Sequence, residues 1–127
     1  MAVLATSKGV RTSPRKVAAV ADLVRGRTVA DALTILQHTP RRSAHAVAQT
    51  VKSAKANAEH NHGYKPESLF ITEISVTPGP RFKRFRPVAR GMAHPFERKT
   101  SHIRVVVDGE KRAAKKPTTK PKTEGDK

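Results

Sequence analysis

Apolar positions along the chain switch twice between strand and helix spacing. Val3 and Leu4, followed by polar residues and a break at Gly9, predict a short strand over residues 2–8. From Ser13 the period becomes helical: Val17, Val20, Ala21 and Val24 fall on one face, Ser13 can cap the first turn, Pro14 suits that turn, and Gly26 ends the run. Thr28 opens a second helix, with Asp31 three residues on as a capping-box-like pair. Val29, Ala32, Leu33 and Leu36 form its buried side and Pro40 stops it. The third helix spans residues 42–61, with a stripe of Ala44, Val47, Val51, Ala54 and Ala58 and an exit at Gly63. Small residues make that stripe thin, so a neighbour can approach closely, and core packing is the better reading than a partner-helix interface. The period then drops to two. Phe70, Thr72, Ile74 and Val76 are expected on one strand face, and Ile103, Val105 and Val107 on another.

These elements predict an α+β fold, three helices packed on a small three-stranded antiparallel sheet made from the N-terminal strand and the two later ones. Between those two strands lies a stretch, residues 79–102, that has little with which to build a core. Arg81, Lys83, Arg84, Arg86, Arg90, Arg98 and Lys99 are opposed there by Glu97 alone. We read it as a long protruding β-hairpin arm with its tip near Gly91. Limbs of roughly eleven residues would reach on the order of 35 Å. A tip centred on Gly91 sets Arg84 across from Arg98, Lys83 across from Lys99 and Pro87 across from Pro95. Facing like charges repel, so a polyanion is expected to hold the arm in shape.

Charge widens the picture from the arm to the whole chain. The 127 residues carry a formal net charge of +16 and a pI near 11.2. That predicts an anionic partner, and nucleic acid before membrane, because no helix pairs bulky apolar residues with opposite lysines. No run of about eighteen apolar residues is present, no export signal is visible, and there are no cysteines, which together lead us to expect a cytoplasmic protein. One domain is expected over residues 1–110, followed by a disordered basic C-terminal tail over 111–127.

Catalytic and metal chemistry is poorly served. His60 and His62 lack further ligands at metal spacing. Ser101 and His102, adjacent in a strand, point to opposite faces and cannot form a nucleophile–base pair. No glycine-rich phosphate loop or paired carboxylate appears. The chain is therefore expected to be no enzyme, with no cofactor and no metal. A basic run is often only solvated surface, yet here Phe82, Phe85 and Phe96 interleave the cations and could stack on bases or fill an RNA crevice. The charge also continues onto the helix ends at Arg11, Arg15, Lys16, Arg25 and Arg27. Lys55, Asn57 and Asn61 on the third helix are further candidates, with a plain solvated face as the alternative.

Five segments resemble the bacterial large-subunit ribosomal protein L twenty-two family in order and spacing. They are Arg11-Thr-Ser-Pro-Arg-Lys-Val17, Ala21-Asp-Leu-Val-Arg-Gly-Arg27, Ser53-Ala-Lys-Ala-Asn-Ala-Glu-His-Asn61, Gly79-Pro-Arg-Phe-Lys-Arg84 and Arg98-Lys-Thr-Ser-His-Ile103. The similarity covers about residues 2–110. It implies a structural constituent of the large ribosomal subunit that binds 23S rRNA, supports its assembly and passes a β-hairpin through the RNA to line the peptide exit tunnel. Neighbouring large-subunit proteins, the nascent polypeptide near the arm tip and, indirectly, macrolide antibiotics are the implied partners. The motifs add Ser13, Thr100, Ser101 and His102 to the candidate rRNA contacts. Phe82, Lys83 and Arg84 fall where drug-tolerance changes occur in the family, and Val88, Ala89, Arg90, Gly91, Met92, Ala93 and His94 form the tunnel tip. Val88 and Met92 stand where the family commonly has arginines, and His94-Pro95 is unusual; Arg86, two residues before Val88, shares its face. An architectural DNA-binding protein with a proline-bearing minor-groove arm is the alternative.

Overall fold

The structure, a computed structural model, describes residues 2–113. In chain order the elements are β1 (Val3–Val10), α1 (Pro14–Val24), α2 (Val29–His38), α3 (Arg42–Ala56), β2 (Phe70–Pro78), β3 (Phe82–Pro87), β4 (Ala93–Arg98) and β5 (Ser101–Asp108). The fold is α+β. β5 lies between β1 and β2 in an antiparallel sheet, and β3 pairs with β4 in a second, two-stranded one. The expected helical stripes form the core: Val17, Val20, Ala21 and Val24 of α1, Val29, Ala32 and Leu36 of α2, and Ala44, Val47, Val51 and Ala54 of α3 are all buried. They meet Ile103, Val105 and Val107 of β5, which are fully buried. The third helix does not stay α-helical to residue 61; its last turn, Asn57–Asn61, widens into a π-helix that still buries Ala58.

Two sequence expectations fail on one cause, an extra residue in a strand. In β2, Ile71 faces Val107 of β5 and Glu73 faces Val106, so Thr72 is inserted without a partner. A bulge of this kind reverses which face each following residue meets. Ile71 and Ile74 therefore point into the core, and of the expected face of Phe70, Thr72, Ile74 and Val76 only Ile74 and Val76 pack on it, while Phe70 and Thr72 stand exposed. In β1, Ser7 pairs with Ile103 but Val10 with Ser101, and Gly9 takes the positive φ, +69°, that the irregularity needs. That bend extends the strand to Val10 and delivers Arg11–Ser13 to the mouth of the hairpin.

The hairpin register also differs from expectation. Phe82 pairs with Arg98, Lys83 with Glu97, Arg84 with Phe96, Phe85 with Pro95, Arg86 with His94 and Pro87 with Ala93. The ladder is centred on Arg90, one residue before Gly91, because two successive residues turn the chain: Arg90 adopts φ +62° and Gly91 φ +68°. Val88 N–H closes the loop on the Met92 carbonyl at 2.9 Å. None of the expected like-charge pairs survives this shift; Lys83 meets an acid and Arg84 an aromatic ring. From a hydrogen-bonded pair at Val88 and Met92, antiparallel alternation puts Pro87 and Pro95 at non-hydrogen-bonded positions, where a missing N–H costs no ladder bond. The paired strands of six residues extend about 20 Å and make up about half of each expected limb, the rest lying in the root and the tip.

At the root, Gly79-Pro80-Arg81 on one side oppose only Lys99-Thr100 on the other, between the pairs Pro78–Ser101 and Phe82–Arg98. Gly79 N–H donates to the Thr100 carbonyl at 2.8 Å, and the Thr100 hydroxyl donates to the Pro80 carbonyl at 2.7 Å. A Cβ on Gly79 would lie 2.5 Å from the Thr100 Oγ1, so only glycine fits this clamp. At the far end, Lys111 bridges Tyr64 and Arg112 N–H donates to the Gly63 carbonyl at 2.7 Å. Backbone pairing thus continues two residues into the stretch read as a disordered tail; the rest of that expectation, from residue 114, lies outside the described residues.

Candidate nucleic-acid interface

Two helices begin beside the hairpin root. The Ser43 hydroxyl at the start of α3 donates to the Lys16 carbonyl in the first turn of α1, at 3.3 Å, which holds the two N-termini side by side. A helix N-terminus carries partial positive charge and unpaired N–H groups, and proteins commonly place an acid or a hydroxyl there. α2 follows that rule: Asp31 sits in its first turn and the Thr28 Oγ1 accepts from the Asp31 N–H at 3.3 Å. α1 and α3 do the opposite. Neither has an acid in its first turn or a side-chain cap, and Ser13, expected to cap α1, occupies the position without making the bond. Cations gather there instead.

The resulting cleft has a volume of about 970 Å³. Arg11, Lys16, Arg41, Arg42, Arg84, Arg98 and Lys99 line it, with Glu97 as the one acid, and that carboxylate lies 3.4 Å from the Arg81 guanidinium. Seven cations around two positive helix ends repel one another unless an anion joins them. The arrangement can bind phosphates; it holds no nucleophile–base pair, and among the described residues no three histidines or carboxylates cluster as a metal would require.

The cleft continues onto one face of the hairpin. By strand alternation, Phe82, Arg84 and Arg86 share that face with their partners Arg98, Phe96 and His94. Each ring thus faces an arginine across the ladder, Phe82 facing Arg98 and Phe96 facing Arg84. The guanidinium carbons of Arg11 and Arg84 lie 5.7 and 5.8 Å from the Phe82 ring centre, and those of Arg86 and Arg98 lie 5.1 and 5.5 Å from that of Phe96. Arg11 therefore ties the hairpin to the domain through Phe82. The rings expected to be open for base stacking are covered at two of three places.

Other candidates from the sequence are scattered. Arg25 and Arg27 lie at the far end of α1, about 16 Å from the cleft, where Arg25 bonds Asp22 and the Ile74 carbonyl and Arg27 the Leu23 carbonyl. Lys55 lies 3.7 Å from Glu59, and the Asn57 amide donates to the Leu4 carbonyl at 3.4 Å. Asn61 and Arg15 are exposed outside the cleft. Thr100 and Ser101 are buried, Thr100 engaged with Pro80. His102 accepts the Gly9 N–H at Nδ1, at 3.1 Å, and so braces β1 against the root. The tip residues from Val88 to His94 are exposed throughout. Arg41 and Arg42 were overlooked by sequence reasoning. The signal for them is a basic pair directly after the helix-breaking Pro40, where an N-terminal turn begins.

The sequence pattern of the family described as ribosomal protein L22p/L17e matches residues 5–108. The chain is 51% identical over 111 residues to the large ribosomal subunit protein uL22 of Clostridioides difficile, covering 87% of this chain and 100% of that protein. It is 50% identical over 103 residues to the protein of the same name from Lactobacillus gasseri, covering 81% and 88%. The corresponding protein of Desulforamulus reducens is 49% identical over 111 residues, covering 87% and 98%.

Proposed function

We propose, from the fact that this chain belongs to the ribosomal protein L22p/L17e family, that it binds large-subunit (23S) rRNA through the cleft and the cation–ring face of the hairpin. The family is a structural component of the large ribosomal subunit and not an enzyme. The observation that carries the RNA reading is the pair of uncapped, acid-free helix N-termini surrounded by seven cations. Such a site is unfavourable empty and suited to closely spaced phosphates. The hairpin, with its exposed tip at Val88–His94, extends through the RNA to line the nascent-peptide tunnel in the cytoplasmic ribosome, and ordering that RNA around the arm supports subunit assembly. Macrolides would be affected only indirectly, through the RNA that the arm positions. No helix among the described residues is long and apolar enough to cross a membrane.

The test is the salt dependence of binding to large-subunit rRNA transcripts. Each phosphate that the protein ceases to neutralise lowers the log–log slope by about 0.7 to 0.9. Replacing Arg11, Arg84 and Arg98 together by alanine is expected to flatten it by about two to three. An unchanged slope rules out phosphate binding at the cleft, and equal competition by duplex DNA would favour the DNA-binding alternative.

A further inference from the structure

The hairpin has a second face, and its chemistry is different. Lys83, Phe85 and Pro87 alternate away from the guanidinium face and stand opposite Glu97, Pro95 and Ala93. Phe85 is 70% exposed, against 37% for Phe82, and no cation stacks on its ring among the described residues. It pairs with Pro95 at a non-hydrogen-bonded position, where facing side chains come closest. Pro95 thus stands directly across the ladder from Phe85. Glu97 is engaged by Arg81, so Lys83, about 7 Å from Phe85 on the same face, keeps an ammonium beside the ring.

We infer that Phe85, opposite Pro95, is a stacking platform for one unpaired nucleobase of the RNA, with Lys83 on the phosphate of the same nucleotide. An isolated flat ring beside a single ammonium matches the two parts of a nucleotide. The facing strands of guanidiniums on the other side suit a phosphate run instead. An apolar peptide segment would gain from Phe85 but would have to desolvate Lys83, whose facing acid Glu97 is already shared with Arg81. The inference rests on the RNA-binding reading above and assigns it a base-recognition residue.

The chain has no tryptophan and one tyrosine, the buried Tyr64, so Phe85→Trp places a single reporter at the platform. Titrated with a large-subunit rRNA transcript, the full-length variant is expected to show strongly quenched emission on binding, as an indole stacked on a base should. Phe85→Ala and Phe85→Leu are each expected to weaken binding about ten- to a hundredfold with the salt slope unchanged. Binding without quenching, or wild-type affinity in Phe85→Leu, overturns the stacking inference and leaves the phosphate cleft standing. Blue-shifted, unquenched emission in assembled particles would identify a protein neighbour instead and overturn it equally. A wild-type chain that ignores the transcript removes both readings, and the salt-slope experiment registers that failure separately.

Discussion

The domain and the hairpin are ordered by different means. In the domain, Val17, Val47, Val51, Ile103 and Val105 lie beyond the reach of solvent, and burying apolar surface fixes each element against the next. In β3 and β4 only Phe96 is even partly buried. The ladder there depends on backbone bonds and on three guanidinium–ring contacts of its own, each worth about 0.5 to 1 kcal/mol at an exposed site. A two-stranded hairpin of this kind is marginal alone. Its register and two-faced pattern are written in its own residues, whereas its rigidity must come from contact with the domain and with RNA. The root is where the two regimes meet. One glycine clamp and one arginine, Arg11 over Phe82, join them.

The largest expected effect tests the domain side. Ile103→Ala removes a fully buried side chain from the central strand and should lower unfolding free energy by about 2 to 5 kcal/mol. In the protein without RNA, Phe85→Ala should change it by no more than about 0.5 kcal/mol. Denaturant titration of both variants decides; comparable losses would mean that the hairpin belongs to the cooperative core. Next in size is the joint. Gly79→Ala drives a methyl against the Thr100 hydroxyl and is expected to cost about 1 to 3 kcal/mol by overpacking. Its signature is faster hydrogen exchange at the Gly79 amide with core amides still protected. Wild-type protection at that amide would show that the root absorbs the methyl.

Helix starts offer a smaller and sharper contrast. The Thr28 Oγ1 accepts the Asp31 N–H, whereas the Ser13 hydroxyl caps nothing. Thr28→Ala should therefore lose about 1 kcal/mol and Ser13→Ala close to none, measured by thermal unfolding at low salt. Equal losses would mean that Ser13 caps α1 in solution, which would weaken the case for that helix end as an anion site.

How far the sequence was legible follows the same division. The helical stripes and the presence of three sheet strands could be read from the spacing and runs of apolar residues, whereas the order β1, β5, β2 is set by the tertiary fold. What defeated the reading was single-residue insertion. Thr72 shifts the faces of β2, and the positive φ of Arg90 moves the hairpin register by one step. Neither leaves a periodic trace, and arginine is not a residue expected to turn left-handed. The basic character of the interface was visible, but its location was not. Arg41 and Arg42 reach the cleft because α3 packs with its start beside that of α1, where Ser43 bonds Lys16, a tertiary contact across 27 residues. Arg25 and Arg27, equally basic on paper, are led away by the length of the same helix.

The smallest effect bears most directly on the hairpin. Phe96 is contacted by Arg86 from across the ladder and by Arg98 from its own strand. Leucine keeps its apolar bulk but offers no π face, so Phe96→Leu should remove up to about 1 kcal/mol of local order and nothing from the core. Amide temperature coefficients and exchange rates across β3 and β4 are the measurement, since global unfolding would not register so local a change. Phe82→Leu is the control that separates the hairpin from its joint: it should loosen β3 and also free Arg11, whose guanidinium signals report the domain side. If Phe96→Leu leaves hairpin exchange untouched, the rings do not hold that face together, and the backbone ladder alone carries the shape that the RNA would meet.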